Sequence, residues 1–179
     1  MKWIVPFCLI AAPAFAENCP AVTDHSQRIA EIVDELGQAR GEAEAQVLSN
    51  ELWELWTDAP DEIAQAMLDE GMSRRSSYDF LGARNVLDRL VAYCPDYAEG
   101  YNQRAFVNFL SGNFDTALVD LDRTLALVPN HIAALSGKAL TLMGLGRNAE
   151  AQVVLRSAVE MNPWLQERVL LDQPIGTDL

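Results

Sequence analysis

Apolar residues recur along this chain at spacings of three and four, the mark of helices that bury one face. Over residues 114–128 the stripe is Phe114, Ala117, Leu118, Leu121 and Leu125. Upstream, Ile29, Ile32, Val33 and Leu36 share one face of a helix predicted over 24–38, with Thr23 or Asp24 as its N-cap. Ala45, Leu48, Leu52, Leu55 and Trp56 share one face of a helix predicted over 42–56, with Trp53 beside it and Gly41 between the two helices.

The punctuation between stripes repeats every 34 residues. Pro95, Pro129 and Pro163 keep that interval, as do Ala83, Ala117 and Ala151, and Leu87, Leu121 and Leu155. Small residues Gly71, Ala105 and Ala139 form a further register. Gly112 and Gly146 mark a turn inside the second and third units, where the first unit has Tyr78. Each unit therefore reads as a helix, a short turn, a second helix, and a proline where that helix must stop. In the second unit the helices are predicted over 98–111 and 114–128.

These marks resemble the tetratricopeptide repeat, a helix-turn-helix unit with small residues in both helices and a closing proline. The small residues let helix A of each unit approach helix B closely. The resemblance covers 64–164, as units 64–97, 98–131 and 132–164. It departs from the pattern where the usual helix A leucine is replaced by Glu70, Arg104 and Lys138. It implies an all-α fold, a right-handed α-solenoid whose units cannot bury their apolar faces alone and so need caps. Residues 17–60 are accordingly expected to form a degenerate fourth unit, offset by the extra link 57–60. Residues 164–171 are expected to form a capping helix over the last repeat, with a tail running to 179.

The resemblance also implies where a ligand lies. Helix A lines the concave face, and ligand contacts in the family come from its second, fifth, ninth and twelfth positions. Carried over, these positions are Gln65, Leu68, Met72 and Arg75, then Glu99, Asn102, Phe106 and Phe109, then Ala133, Ser136, Leu140 and Met143, and the site is expected at Leu68, Met72, Arg75, Asn102, Phe106, Phe109, Ser136, Leu140 and Met143. That is a mainly apolar groove for a protein or peptide partner, with Arg75 and Asn102 as directional groups. The alternative packs some of these side chains against a neighbouring helix or the C-terminal cap. Arg75, Asn102 and Arg104 are too few for the cationic clamp by which some family members grip a terminal carboxylate.

Residues 1–16 read as a secretory signal: Lys2, an apolar run over 3–12, and Ala14-Phe15-Ala16 before a cleavage point after Ala16. The run is too short to span a bilayer, and no membrane insertion is expected after cleavage. Resemblance to small tetratricopeptide-repeat proteins of the bacterial cell envelope points to the periplasm. Cleavage removes one base and no acid, leaving 12 basic residues against 26 acidic ones. Such a surface repels phosphate backbones and anionic headgroups, which argues against nucleic acid as a partner. Cys19 and Cys94 are left in an oxidising compartment. A five-residue tail before the first helix reaches about 17 Å, so pairing is sterically allowed and not required.

Candidate chemistry is sparse. His25 and His131 are far apart and no CxxC or HExxH occurs, so no metal or cofactor is expected. Asp120 and Asp122 point to different helix faces, and Glu31, Asp34 and Glu35 read as a solvated surface. Ser26, Ser49, Ser136 and Ser157 have no histidine nearby in sequence, and no GxSxG elbow or phosphate loop occurs. Arg74-Arg75 reads as a helix end, where cations offset the macrodipole. The expectation is a non-catalytic scaffold for envelope assembly, or alternatively a self-associating structural subunit. The sequence leaves the oligomeric state open.

Overall fold

The computed structural model describes residues 18–172. The expected signal and the end of the tail lie outside the described residues. Those residues form eight α-helices and one 3-10 turn, with no strand among them: α1 Ser26–Gln38, α2 Glu42–Trp56, α3 Glu62–Ser76, α4 Phe80–Tyr93, α5 Ala98–Leu110, α6 Phe114–Leu127, α7 Ile132–Gly144, α8 Asn148–Met161, and the turn Gln166–Leu170. None of these helices is long and apolar enough to cross a membrane.

Local chemistry sets the boundaries. The Asp61 carboxylate accepts from the Ala64 N–H at 2.7 Å at the start of α3, and Asp79 accepts from the Gly82 N–H at 2.9 Å at the start of α4. The inter-helix turns fall on one register, with Tyr78, Gly112 and Gly146 at φ of 63°, 74° and 73°. Glycine takes that left-handed conformation freely, whereas tyrosine there costs about 1–2 kcal/mol.

The hairpins α3/α4, α5/α6 and α7/α8 stack in order, α4 against α5 and α6 against α7. A Cβ on Gly71 would stand 2.7 Å from a Leu87 methyl, so the small register is where helices A and B touch. Two of the charged replacements in helix A, Arg104 and Lys138, reach the preceding hairpin, and Arg104 also braces its own. Arg104 forks onto Asp120 at 2.6 and 2.9 Å and reaches Asp88 at 2.8 Å, while Lys138 meets Asp122 at 2.6 Å.

The stack begins at α3. Val107, 1 % exposed, packs into the core between α4 and α5, but its counterpart 34 residues earlier is the exposed Ser73. Asp69 and Glu70 are exposed beside it, so the outer side of α3 offers no apolar seat for a preceding repeat. Residues 17–60 are therefore not a fourth unit in line with the others. Instead α1 and α2 pair, and α1 reaches α8 at the far end of the stack. Ile29, Ile32, Leu36, Ala45, Leu52 and Trp56 cluster with Ile132, flanked by Met161, Trp164 and Leu165.

The hairpin α1/α2 thus lies across the stack. Its partners recur at the repeat interval. The Tyr97 hydroxyl donates to the Trp56 carbonyl at 2.9 Å, the His131 ring stacks on the Trp56 ring at 3.9 Å, and Leu165 packs on the hairpin core. The Trp164 indole donates to the Ala39 carbonyl at 3.2 Å. Cys19 and Cys94 form a disulfide over a sequence separation of 75, tying the segment before α1 to the end of α4. The expected capping helix over 164–171 is only the short turn Gln166–Leu170. Trp164 and Leu165 turn onto the α1/α2 hairpin, and Gln152 of α8 holds the segment through Leu170 O and Asp172 N, each at 2.9 Å.

Candidate functional site

Between the helices A of the repeats and the crossing hairpin lies a pocket of about 340 Å³. Six of the nine expected groove residues line it: Arg75, Asn102, Phe106, Phe109, Ser136 and Leu140. Three do not. Leu68 is fully buried in the core of the first repeat, and Met72 packs against that core. The fifth position is nearly closed off in every unit, and where it is leucine the core takes it. Met143, half-buried, lies at the end of the last helix A, where no further unit among the described residues supplies a facing wall.

Three lining residues lie outside the repeat pattern: Trp53 from α2, and Leu165 and Glu167 after α8. Stacking logic alone hides them, because it places the hairpin at the wrong end. A signal was available in the apolar faces of both hairpin helices, which an end cap facing a polar α3 leaves uncovered.

A buried polar chain supports the pocket floor. Arg75 Nη1 donates to Gln103 Oε1, and Gln103 Nε2 donates to Glu99. Glu99, 1 % exposed, also accepts from Asn102 at 3.1 Å and from His131 Nε2 at 2.9 Å. His131 Nδ1 accepts the Ala134 N–H at 3.2 Å, which caps α7 and puts the ring proton on Nε2. One run of hydrogen bonds therefore joins Arg75 at the pocket to the Trp56–His131 stack at the hairpin.

Electrostatics follow from that burial. Loss of water pushes the Arg75 guanidinium below its ordinary pKa, opposed by the Glu99 charge. The Arg75 cation sits 4.6 Å over the Phe106 ring. Burial raises the Tyr97 phenol, so its O–H remains a donor to the hairpin. A second cavity of about 310 Å³ lies at the hairpin seam beside Trp56, Glu99 and His131. Among the described residues no cluster of three or more His, Cys, Asp or Glu is placed to hold a metal.

Stacked antiparallel helix pairs with a 34-residue period define an α-solenoid of helical repeats. No family model matches the chain. A TPR repeat-containing protein of Rhizobium etli is 29% identical over 145 residues, covering 80% of this chain and 71% of that protein. A tetratricopeptide repeat protein 36 homolog of Nematostella vectensis is 32% identical over 65 residues, so the chain spans only 36% of that relative. Among solved structures, the Arabidopsis OM64 TPR domain matches with a TM-score of 0.59 at 18% identity, over 61% of this chain and 90% of that one. The first TPR of Spaghetti bound to an HSP90 peptide gives 0.58 at 19% identity, over 60% and 85%. The chain therefore has the tetratricopeptide-repeat fold and is similar to proteins of that family.

Proposed function

We propose that this chain is an exported, non-catalytic scaffold of the bacterial cell envelope that docks a protein or peptide segment at its concave pocket. The observation that carries the reading is the pocket itself, where Phe106, Phe109 and Leu140 from successive helices A converge beside Arg75 and Asn102. The Spaghetti domain is described in complex with an HSP90 peptide and a yeast Sti1 domain with an Hsp70 peptide, which supports peptide docking on this fold. Support for a non-catalytic role comes from the use of the buried acids: Glu99 is held by Asn102, Gln103 and His131, and Asp120 by Arg104. Export and the periplasm rest on the signal pattern in residues 1–16.

The test is periplasmic crosslinking and pull-down with wild-type protein and with Phe106→Ala/Phe109→Ala. The double variant should lose the partner while keeping its helical circular dichroism; unchanged recovery sinks the assignment. A second reading, self-association, is favoured by Val119 and Val153, which are 68 % and 65 % exposed at equivalent places on α6 and α8. Light scattering separates the two, since a clean monomer removes the second.

A further inference from the structure

We propose that the pocket selects a single carboxylate carried beside a bulky apolar group, presented by the partner segment as an acidic side chain next to an aromatic or branched one. This rests on the concave-face reading above and names the chemistry that the face accepts.

Arg75 is the only basic residue in the pocket lining. Unlike Arg28, Arg74 and Arg104, it makes no ion pair among the described residues. Among the described residues only Nη1 of its five N–H donors is used, toward Gln103, and one face of the guanidinium is held by the Phe106 ring. The cation is thus fixed in place with donors to spare. Ser136 supplies a second, independent mark: its hydroxyl is buried, has no hydrogen-bond partner among the described residues, and lines the same pocket. Two sets of unused donors in apolar walls call for an acceptor, and a half-buried guanidinium calls for a negative one.

The buried Glu99 does not fill that need, because its oxygens are taken by Asn102, Gln103 and His131. Glu167 is the carboxylate that does line the pocket, and it repels an incoming one. Together with a net charge of −13, it limits the site to one local acid and disfavours a strongly acidic segment. The volume of about 340 Å³ is at the small end for ligand pockets and suits one side-chain-sized apolar group. Trp53 and Phe106, 40 % and 44 % exposed, continue the apolar surface beyond the pocket, which suits an attached segment better than a free small acid.

The experiment titrates the isotope-labelled full mature chain with four probes and follows amide shifts at Asn102, Phe106 and Ser136. The probes are a terminally blocked peptide with adjacent Phe and Asp, its Phe-Asn counterpart, phenylbutyrate and phenylbutanol. The acidic member of each pair should bind about tenfold more tightly than its neutral mate, as a charged hydrogen bond implies. Arg75→Gln should erase that difference. Glu167→Gln should strengthen the acidic probes about two- to threefold relative to their neutral mates. Equal binding of the Phe-Asp and Phe-Asn peptides to wild type overturns the charge selection while leaving the groove reading standing. Shifts with none of the four probes overturn both. Binding of phenylbutyrate with exclusion of the acidic peptide overturns the partner segment as the source of the acid.

Discussion

Replacing Trp56 with alanine tests whether the α1/α2 hairpin is truly seated across the repeats. Trp56 is 8 % exposed and lies 3.9 Å from the His131 ring at an interplanar angle of 13°. Truncating a buried tryptophan costs about 3–5 kcal/mol, and a stacked pair contributes about 0.5–1.5 kcal/mol within that. For a chain of this size each kcal/mol moves the melting point by roughly 2–4 °C, so Trp56→Ala should melt about 10 °C lower. Urea unfolding followed by far-ultraviolet circular dichroism gives the same quantity as a shifted midpoint. Trp56→Phe is the control. It keeps a ring on His131 and removes the indole N–H, which has no partner among the described residues, so it should stay within about 1 kcal/mol of wild type. A cycle with His131→Ala should return a coupling of about 0.5–1.5 kcal/mol. If Trp56→Ala costs less than about 1 kcal/mol, the hairpin is not held by this contact and the clasped architecture is wrong.

Other outcomes follow from the same packing. Asp120→Ala leaves Arg104 without its forked partner and should cost about 3 kcal/mol in urea unfolding, whereas Asp88→Ala, at a half-exposed partner, should cost at most about 1 kcal/mol. Reducing the Cys19–Cys94 disulfide should lower stability by about 2–4 kcal/mol; equal midpoints with and without reductant would refute a constraint from that bond. Asp61 and Asp79 are held below the ordinary aspartate value of 3.8, each mainly by a backbone N–H at a helix start. Their contribution is therefore complete above about pH 4 and is lost as pH falls through the lower folded values. An Asp61→Asn/Asp79→Asn variant should show a flatter fall in urea midpoint below pH 4, and an unchanged slope would exclude the caps as its source.

The repeats were legible because close helix contact demands small residues at fixed intervals, and Gly71, Ala105 and Ala139 keep that interval. Helix α2 was legible in its apolar stripe and was found over the residues anticipated. The placement of the hairpin was not. Periodicity reports which face of a helix is apolar, not which surface covers it. The deciding facts were the exposed Ser73 where the next unit buries Val107, and the way Tyr97, His131 and Leu165 repeat as contacts of one crossing hairpin. The groove was legible for its middle members, since Phe106 and Phe109 sit on α5 between α3 and α7, and Leu140 lines the same pocket from α7. It failed at the ends, where Leu68 sinks into the core and Met143 has no opposite wall among the described residues.

The crossing hairpin changes what this scaffold can recognise. An open stack of repeats touches only its neighbours and offers a groove as long as the array. Here contacts separated by 113 and 125 residues join the hairpin to the end of the stack, and Trp53 and Leu165 add a wall to the groove. What is left is a pocket rather than a channel, so under the proposed function recognition would fall on one anchor side chain and its immediate charge, not on a long register of peptide contacts. The polar run from Arg75 through Gln103 and Glu99 to His131 then ties that anchor site to the Trp56 stack. The groups that hold the clasp also orient the guanidinium, so the hairpin is part of the site's geometry and not merely a cap on the fold.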